Sequence, residues 1–226
     1  MSFSVIIPVL NEEGVINDAI ARIRDIDGSS GAEIIVVDGG NDCRTIGAII
    51  SEGVAKVPSP CGRGRQMNEG ARHATGGILL FLHADTELPL NALPLIENAM
   101  RDGRYEAGAF DLTIKSPRPV FRMIEFSASL RSRITRIPFG DQAIFIRRDY
   151  FEKIGGYQDI PVMEDVEIMK RIRKKGDRII ILRSRVATSS RRWEKEGIVR
   201  CTLRNWLLQV LYPLGVPART LARLYK

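Results

Sequence analysis

Cysteine is scarce in this chain. The three present, Cys43, Cys61 and Cys201, are odd in number, far apart and without a C-x-x-C pair. That excludes a disulfide framework and a thiolate zinc site and leaves free thiols. No apolar run approaches the roughly 20 residues of a membrane-spanning helix, because Arg, Asn or Pro interrupts the richest stretches. The start, Met1 to Pro8, lacks the basic region, long apolar run and small-residue cleavage site of a signal peptide, so a cytoplasmic location is the default expectation. Neither G-x-x-x-x-G-K-S/T nor G-x-G-x-x-G occurs, which counts against P-loop and dinucleotide-binding readings. Aromatic residues make up only 7% and basic residues are mixed with acidic ones. A nucleic-acid stacking platform is therefore not expected.

What is present describes a folded α/β protein. The 226 residues are 44% hydrophobic, enough to bury a full core. The net charge of +7 favours an anionic partner. Residues Ser4 to Leu10 read as a strand, followed by Asn11 as the N-cap of a helix. Glu33 to Asp38 is a second strand, Gly39 to Asp42 a turn and Thr45 to Glu52 a helix. Val54 to Val57 is a short third strand, Pro58 to Arg65 a loop and Gln66 to Ala74 a helix. Ile78 to Leu82 is a strand buried on both faces, ending at His83-Ala84-Asp85. Repeated strand–helix units predict a parallel sheet with right-handed crossovers.

Beyond Pro89 the pattern changes. A helix at Leu93 to Met100 leads to a strand at Tyr105 to Ile114. Arg118 to Arg136 is amphipathic and basic, Gln142 to Arg147 is a strand, and Asp149 caps a helix ending at Gly155-Gly156. The sheet is expected to turn mixed here. Glu164, Asp165 and Glu167 open a helix at its positive end, Arg178 to Val186 is the last strand, and two helices separated at Pro213 to Pro217 complete the chain. The C-terminal helices carry apolar residues such as Leu203, Trp206 and Val210 beside Arg200, Arg204, Arg219, Arg223 and Lys226. They suit a membrane surface, a dimer partner or packing on their own domain.

Four loops at strand ends collect chemistry: Pro8 to Glu13, Asp38 to Asp42, Gly62 to Asn68 and His83 to Asp85. Carboxylates, guanidinium groups, an amide and an imidazole along one sheet edge suit a nucleotide diphosphate with a divalent cation. Oxygen ligands favour Mg2+ or Mn2+, and an imidazole shifts the preference toward Mn2+. Gly62-Arg63-Gly64-Arg65 offers backbone amides and bidentate guanidinium groups to phosphate.

These residues resemble those of the family 2 glycosyltransferases, inverting sugar-nucleotide enzymes of GT-A fold. The resemblance runs through Val5 to Glu13, Ile35 to Gly40, Arg65 to Ala71 and His83 to Asp85, then through Asp141 to Arg147, Ile154 to Tyr157, Glu164-Asp165 and Arg192-Trp193. It implies an α/β fold with a Rossmann-like, mostly parallel central sheet flanked by helices, a mixed-sheet acceptor half and C-terminal helices. Residues 1–196 would form one GT-A-like domain, with 1–100 binding the nucleotide-sugar and 101–196 the acceptor, and 197–226 a helical extension.

By resemblance, Pro8, Glu12 and Asp38 floor the nucleoside pocket, with Asp38 at the base and Glu12 at ribose. Arg65 and Asn68 flank the diphosphate or ribose. Ala84 sits between His83 and Asp85, and Asp85 matches the final carboxylate of the family's D-x-D motif, which binds Mn2+ or Mg2+. His83 stands where that motif usually begins with Asp, so a neutral imidazole replaces a negative charge. Asp165 matches the general base, Glu164 is the runner-up, and Arg192 would neutralise the departing diphosphate. Asp141, Gln142 and Trp193 lie on the acceptor side. Ser189 replaces the Gln of the Q-x-x-R-W signature of processive members. The implied donor is UDP- or GDP-linked and the acceptor hydroxyl is open, a lipid-linked one included. A nucleotidyltransferase, or a catalytically weak sugar-nucleotide binder of the same fold, is the alternative reading.

Overall fold

The computed structural model describes residues 1–225. Lys226, one of the basic residues expected beside the C-terminal helices, lies outside the described residues. The first half alternates strands and helices: β1 (Phe3–Val9), α1 (Ile16–Arg24), β2 (Glu33–Asp38), α2 (Arg44–Gly47), β3 (Val54–Pro58), α3 (Arg63–His73) and β4 (Ile78–Phe81). There follow β5 (Thr86–Glu87), α4 (Ala92–Met100), β6 (Ala107–Lys115), α5 (Pro119–Thr135), β7 (Phe145–Arg147) and α6 (Arg148–Lys153). The last part holds α7 (Glu164–Lys174), β8 (Ile179–Ser189), α8 (Arg191–Glu196), α9 (Ile198–Leu211) and α10 (Ala218–Tyr225).

All the strands join one sheet in the order β3-β2-β1-β4-β7-β6-β8-β5. The first four run parallel, with Val5 opposite both Ile34 and Leu80. β7 is antiparallel to β4 and β6, and β6 and β8 run parallel. The sheet is thus mostly parallel and turns mixed in its second half, as expected. Continuous apolar runs are explained by burial on both faces: Val5, Ile7, Ile34 and Val36 enter one core cluster, while Ile6, Ile35 and Val37 enter the other. Each such side chain taken fully out of water contributes about 1.5–3 kcal/mol. α3 lies so close on β1 that a Cβ at Gly70 would collide with Ile6 Cγ2, so Gly70→Ala breaks this contact.

Several boundaries depart from the sequence reading. Asn11 is not an N-cap: it adopts φ 56°, and α1 begins only at Ile16, after Val15 and Ile16 both donate to the Glu12 carbonyl at 3.1 Å. The expected Thr45 to Glu52 helix closes at Gly47 because Asn17 Nδ2 donates to the Ala48 carbonyl at 2.9 Å and Asn17 Oδ1 accepts from Ile50 N–H at 3.1 Å. α3 starts at Arg63, so the Gly-Arg-Gly-Arg segment is a helix N-terminus instead of a flexible loop. Gln142 belongs to a 3-10 turn, Gly140–Gln142, and the strand after it is confined to Phe145–Arg147. Asp149 lies inside the first turn of α6, with Arg147 at the cap. β5 and α8 were not expected. The two C-terminal helices and the three free cysteines are as read.

Candidate functional site

The ends of β1 and β4 open on a pocket of about 900 Å³. Its floor near β1 is Pro8, Val9, Leu10 and Glu12. The positive φ of Asn11 turns the chain off the strand, and the Glu12 N–H donates to Thr45 Oγ1 at 3.2 Å. The Glu12 carboxylate faces Arg191 Nη2 at 3.3 and 3.4 Å. Gln66 ties the two neighbouring strand ends, donating from Nε2 to the carbonyls of Val9 and Val37 at 2.7 and 2.9 Å. A Cβ at Gly39 would approach this amide to 2.8 Å, so a larger residue there would displace Gln66 from these carbonyls.

Asp38 is buried at the end of β2, and its two oxygens accept from Gly40 N–H at 2.8 Å and Ile46 N–H at 3.1 Å. It shapes the following loop and stands outside the pocket lining. Arg65 likewise points away, paired with Asp159 at 2.8 and 2.6 Å on the exposed surface. Asn68 clamps a distant turn, donating to the Tyr157 carbonyl and accepting from the Tyr157 N–H, both at 2.8 Å. The turn needs Gly156, at φ 66°, where a Cβ would come 2.6 Å from Asn68 Oδ1. These side chains bond to the fold's own backbone and loops, which is why they do not join the pocket. Arg63, two residues before Arg65 on α3, lines it instead.

His83, Ala84 and Asp85 follow β4 into the pocket. Burial, with the nearby positive charge of Arg63 adding to it, pulls the His83 imidazole down to about 3. It is therefore neutral at physiological pH, able to accept a hydrogen bond or ligate a metal. A Cβ at Gly140 would lie 3.0 Å from His83 Nε2 and 3.5 Å from Asp165 Oδ2, which brings imidazole and carboxylate together beside one glycine.

The opposite wall begins at the Gly140–Gln142 turn. Gln142 is fully buried: Nε2 donates to the Phe110 carbonyl at 2.8 Å, and Oε1 accepts from Ser132 Oγ at 2.7 Å and Phe139 N–H at 3.1 Å. Its hydrogen bonds are spent on α5 and β6, so it supports the turn from behind. Asp141 faces the pocket. Burial pushes its carboxyl up to about 6; Arg131 opposes this, while the negative charges of Asp165 and Asp85 add to it. Arg131 stacks on Phe139, its guanidinium carbon 3.6 Å from the ring centroid, and both line the pocket.

α7 delivers the adjacent acids. Met163, at φ 68°, starts the helix from a left-handed turn, which sends successive side chains to different places. Glu164 is buried and paired with Arg63 Nη1 at 3.3 Å. Burial and the neighbouring Asp165 raise the Glu164 carboxyl, with Arg63 opposing. Asp165 accepts from Gly140 N–H through Oδ2 and from Val166 N–H through Oδ1, both at 2.7 Å. From α8, Arg192 reaches the pocket while bonding Glu196 at 3.1 Å, and Trp193 stands edge-on to Phe121 at 5.9 Å.

Of the residues singled out in the sequence, the pocket gathers Pro8, Glu12, His83, Ala84 and Asp85 from the first half, with Asp141, Glu164, Asp165, Arg192 and Trp193 from the second. Asp38, Arg65, Asn68 and Gln142 are not among its lining. Arg63, Gln66 and Arg131 are, along with Thr202, Asn205 and Gln209 of α9. An Arg two places before the motif Arg was the signal available for Arg63. Arg131 depends on long-range packing of α5.

Among the described residues, no three His, Cys, Asp or Glu side chains are grouped to hold a metal ion. Asp85 with the neutral His83 fits a cation that takes its remaining ligands from phosphate and water, the usual manner of Mg2+ at phosphate sites.

The family model described as glycosyl transferase family 2 matches residues 4–155. No curated protein matches the sequence. Among solved structures, the mannosyltransferase PcManGT from Pyrobaculum calidifontis, in complex with GDP-Man and Mn2+, is similar with a TM-score of 0.62 and 24% identity, over 82% of this chain and 56% of that one. S. aureus TarS 1–349 in complex with UDP gives 0.63 and 17% identity, over 84% of this chain and 60% of its own. A second S. aureus TarS structure gives 0.62 and 16%, over 92% and 40%. These likenesses establish a shared GT-A fold, and this chain spans less than two thirds of each of those proteins.

Proposed function

The chain belongs to glycosyl transferase family 2, and from that premise we propose that it moves a sugar from a UDP- or GDP-linked donor to a hydroxyl acceptor, with inversion at the anomeric carbon. One observation carries this reading. A single pocket sets Asp85, Asp141 and Asp165 among Arg63, Arg131 and Arg192. That is the charge pattern a diphosphate leaving group and a proton-accepting base require together.

In this mechanism Asp165 takes the proton of the acceptor hydroxyl as its oxygen bonds to the anomeric carbon. The bond from that carbon to the diphosphate breaks on the opposite face. The Gly140 N–H holds Asp165 Oδ2 in place, so little reorganisation is needed at the moment of transfer. Glu164 is the poorer base: it is turned into the protein toward Arg63, and its burial favours the protonated form. Arg63 and Arg192 bind the diphosphate and balance the charge it gains as it departs. Asp85 and His83 would hold Mn2+ or Mg2+ on the diphosphate. When bound, the cation supplies positive charge to the leaving group. Pro8 and Glu12 border the nucleoside, and Trp193 offers an apolar face to a sugar ring.

The neighbours solved with GDP-Man and Mn2+ and with UDP support the donor class. Calorimetric titration with a panel of UDP- and GDP-sugars in the presence of Mn2+ tests it, and a folded sample that binds none of them would sink the proposal.

A further inference from the structure

Two helices that wall the pocket turn apolar residues to solvent. On α5, Val120, Met123, Phe126, Leu130 and Ile134 are all exposed, Met123 at 74% and Phe126 at 70%. At about 100° per residue they fall within one arc of about 120°, and the pocket-lining Ile124, Ala128 and Arg131 occupy the arc beside it, with Ser127 inside the shared edge. On α9, Val199, Leu203, Trp206, Leu207 and Val210 are exposed and share an arc of about 100°. Trp206 and Val210 also line the pocket. The apolar stripe of α9 therefore runs onto the rim, and that of α5 adjoins it.

Isolated exposed apolar side chains are ordinary on a protein surface; ten of them in two stripes flanking one opening mark a docking site. The charge around them selects the occupant. From Gly197 to Lys226 the sequence holds five basic residues, Arg200, Arg204, Arg219, Arg223 and Lys226, and no acidic one. Arg118 and Arg136 stand exposed at the two ends of α5. A second copy of this chain docking by two-fold symmetry would set these basic segments against each other. An anionic lipid surface would attract them. No helix among the described residues is long and apolar enough to cross a membrane, so the geometry is that of helices lying in the interface.

We propose that α5 and α9 together form a docking face for an anionic lipid bilayer, with the pocket mouth opening at that surface. An acceptor anchored in the bilayer then reaches Asp165 without leaving it. That consequence rests on the transferase reading; the docking does not.

Co-sedimentation of the full chain with phosphatidylcholine vesicles, with and without phosphatidylglycerol, tests the face. Binding is expected only to the anionic vesicles and weakens as salt rises. The double variant Met123→Glu/Phe126→Glu and the single variant Leu203→Glu each lose about tenfold in vesicle affinity, with circular dichroism and nucleotide-sugar binding unchanged. Three results overturn the proposal: folded protein that ignores anionic vesicles, anionic-vesicle binding that the α5 double variant retains in full, or a dimer that this variant dissociates in a protein that binds no vesicle. Nucleotide-sugar titration of the same samples separates a failure of this face from a failure of the donor reading.

Discussion

Replacing Asp165 with asparagine should remove both a base and a structural brace, and the two losses can be measured apart. Each carboxylate oxygen accepts a 2.7 Å hydrogen bond from a backbone N–H, Gly140 on one side and Val166 on the other. An asparagine keeps one acceptor, so its NH2 must confront one of these donors. One lost charge-assisted hydrogen bond and one unsatisfied N–H come to about 1.5–3 kcal/mol of folding stability, read as a lower urea midpoint with an unchanged slope. The loss of proton transfer costs about 10²–10⁴-fold in rate, which is about 2.7–5.4 kcal/mol of barrier at 1.36 kcal/mol per tenfold. Asp165 acts on the acceptor, so donor affinity stays within about twofold of wild type. Nucleotide release in a coupled assay, urea unfolding and donor titration on the same preparation give the three numbers. The mechanism is refuted if Asp165→Asn keeps wild-type turnover, or if its rate falls only in proportion to donor affinity.

Asp85→Ala should abolish the dependence of donor binding on Mn2+ or Mg2+ in calorimetry with and without chelator, whereas His83→Ala keeps the dependence and lowers the preference for Mn2+. Arg63→Ala leaves the buried Glu164 beside Asp165 without that guanidinium and should cost about 1.5–3 kcal/mol. Because the Glu164 carboxyl is already raised in the folded protein, removing Arg63 raises it further, so the loss in urea unfolding grows as pH rises. A loss equal at about pH 5 and about pH 8 would contradict the linkage. For Asp141 the folded value of about 6 lies above the ordinary aspartate value of 3.8. The folded state therefore binds the extra proton between these values, and ionised Asp141 costs stability as pH rises through them. Asp141→Asn escapes that cost, so its stability relative to wild type should improve across that window and level off above it in a pH series of urea midpoints.

The sheet was legible because β1, β2 and β4 are buried on both faces, and a strand so placed must be apolar at every position, as Val5 to Ile7 and Ile34 to Val37 are. The acids at the start of α7 were legible for a local reason too, since carboxylates favour a helix N-terminus. What escaped is what distant segments decide. Arg63 and Arg65 look equivalent in sequence, but Asp159, far along the chain, takes Arg65 and Glu164 takes Arg63. Asn68 and Gln142 carry motif positions, yet each spends its amide on a backbone turn or a buried carbonyl formed by remote residues. β5, two residues long, carries no periodicity and exists only because β8 passes beside it.

The strand order also dictates when the pocket becomes complete. β1 pairs with β2 and β2 with β3 through short βα units, whereas β1 meets β4 only through the long-range pairing of Phe3 with Ile78. β7 must then insert between β4 and the later β6, and α7 must dock before Gly140 can grip Asp165. In the proposed mechanism a chain that ends before α7 and α8 carries Pro8, Glu12 and Asp85 but neither Asp165 nor Arg192. Under that mechanism the final third of the polypeptide supplies both the base and part of the diphosphate site, so a chain interrupted before it would have weakened donor binding as well as no turnover.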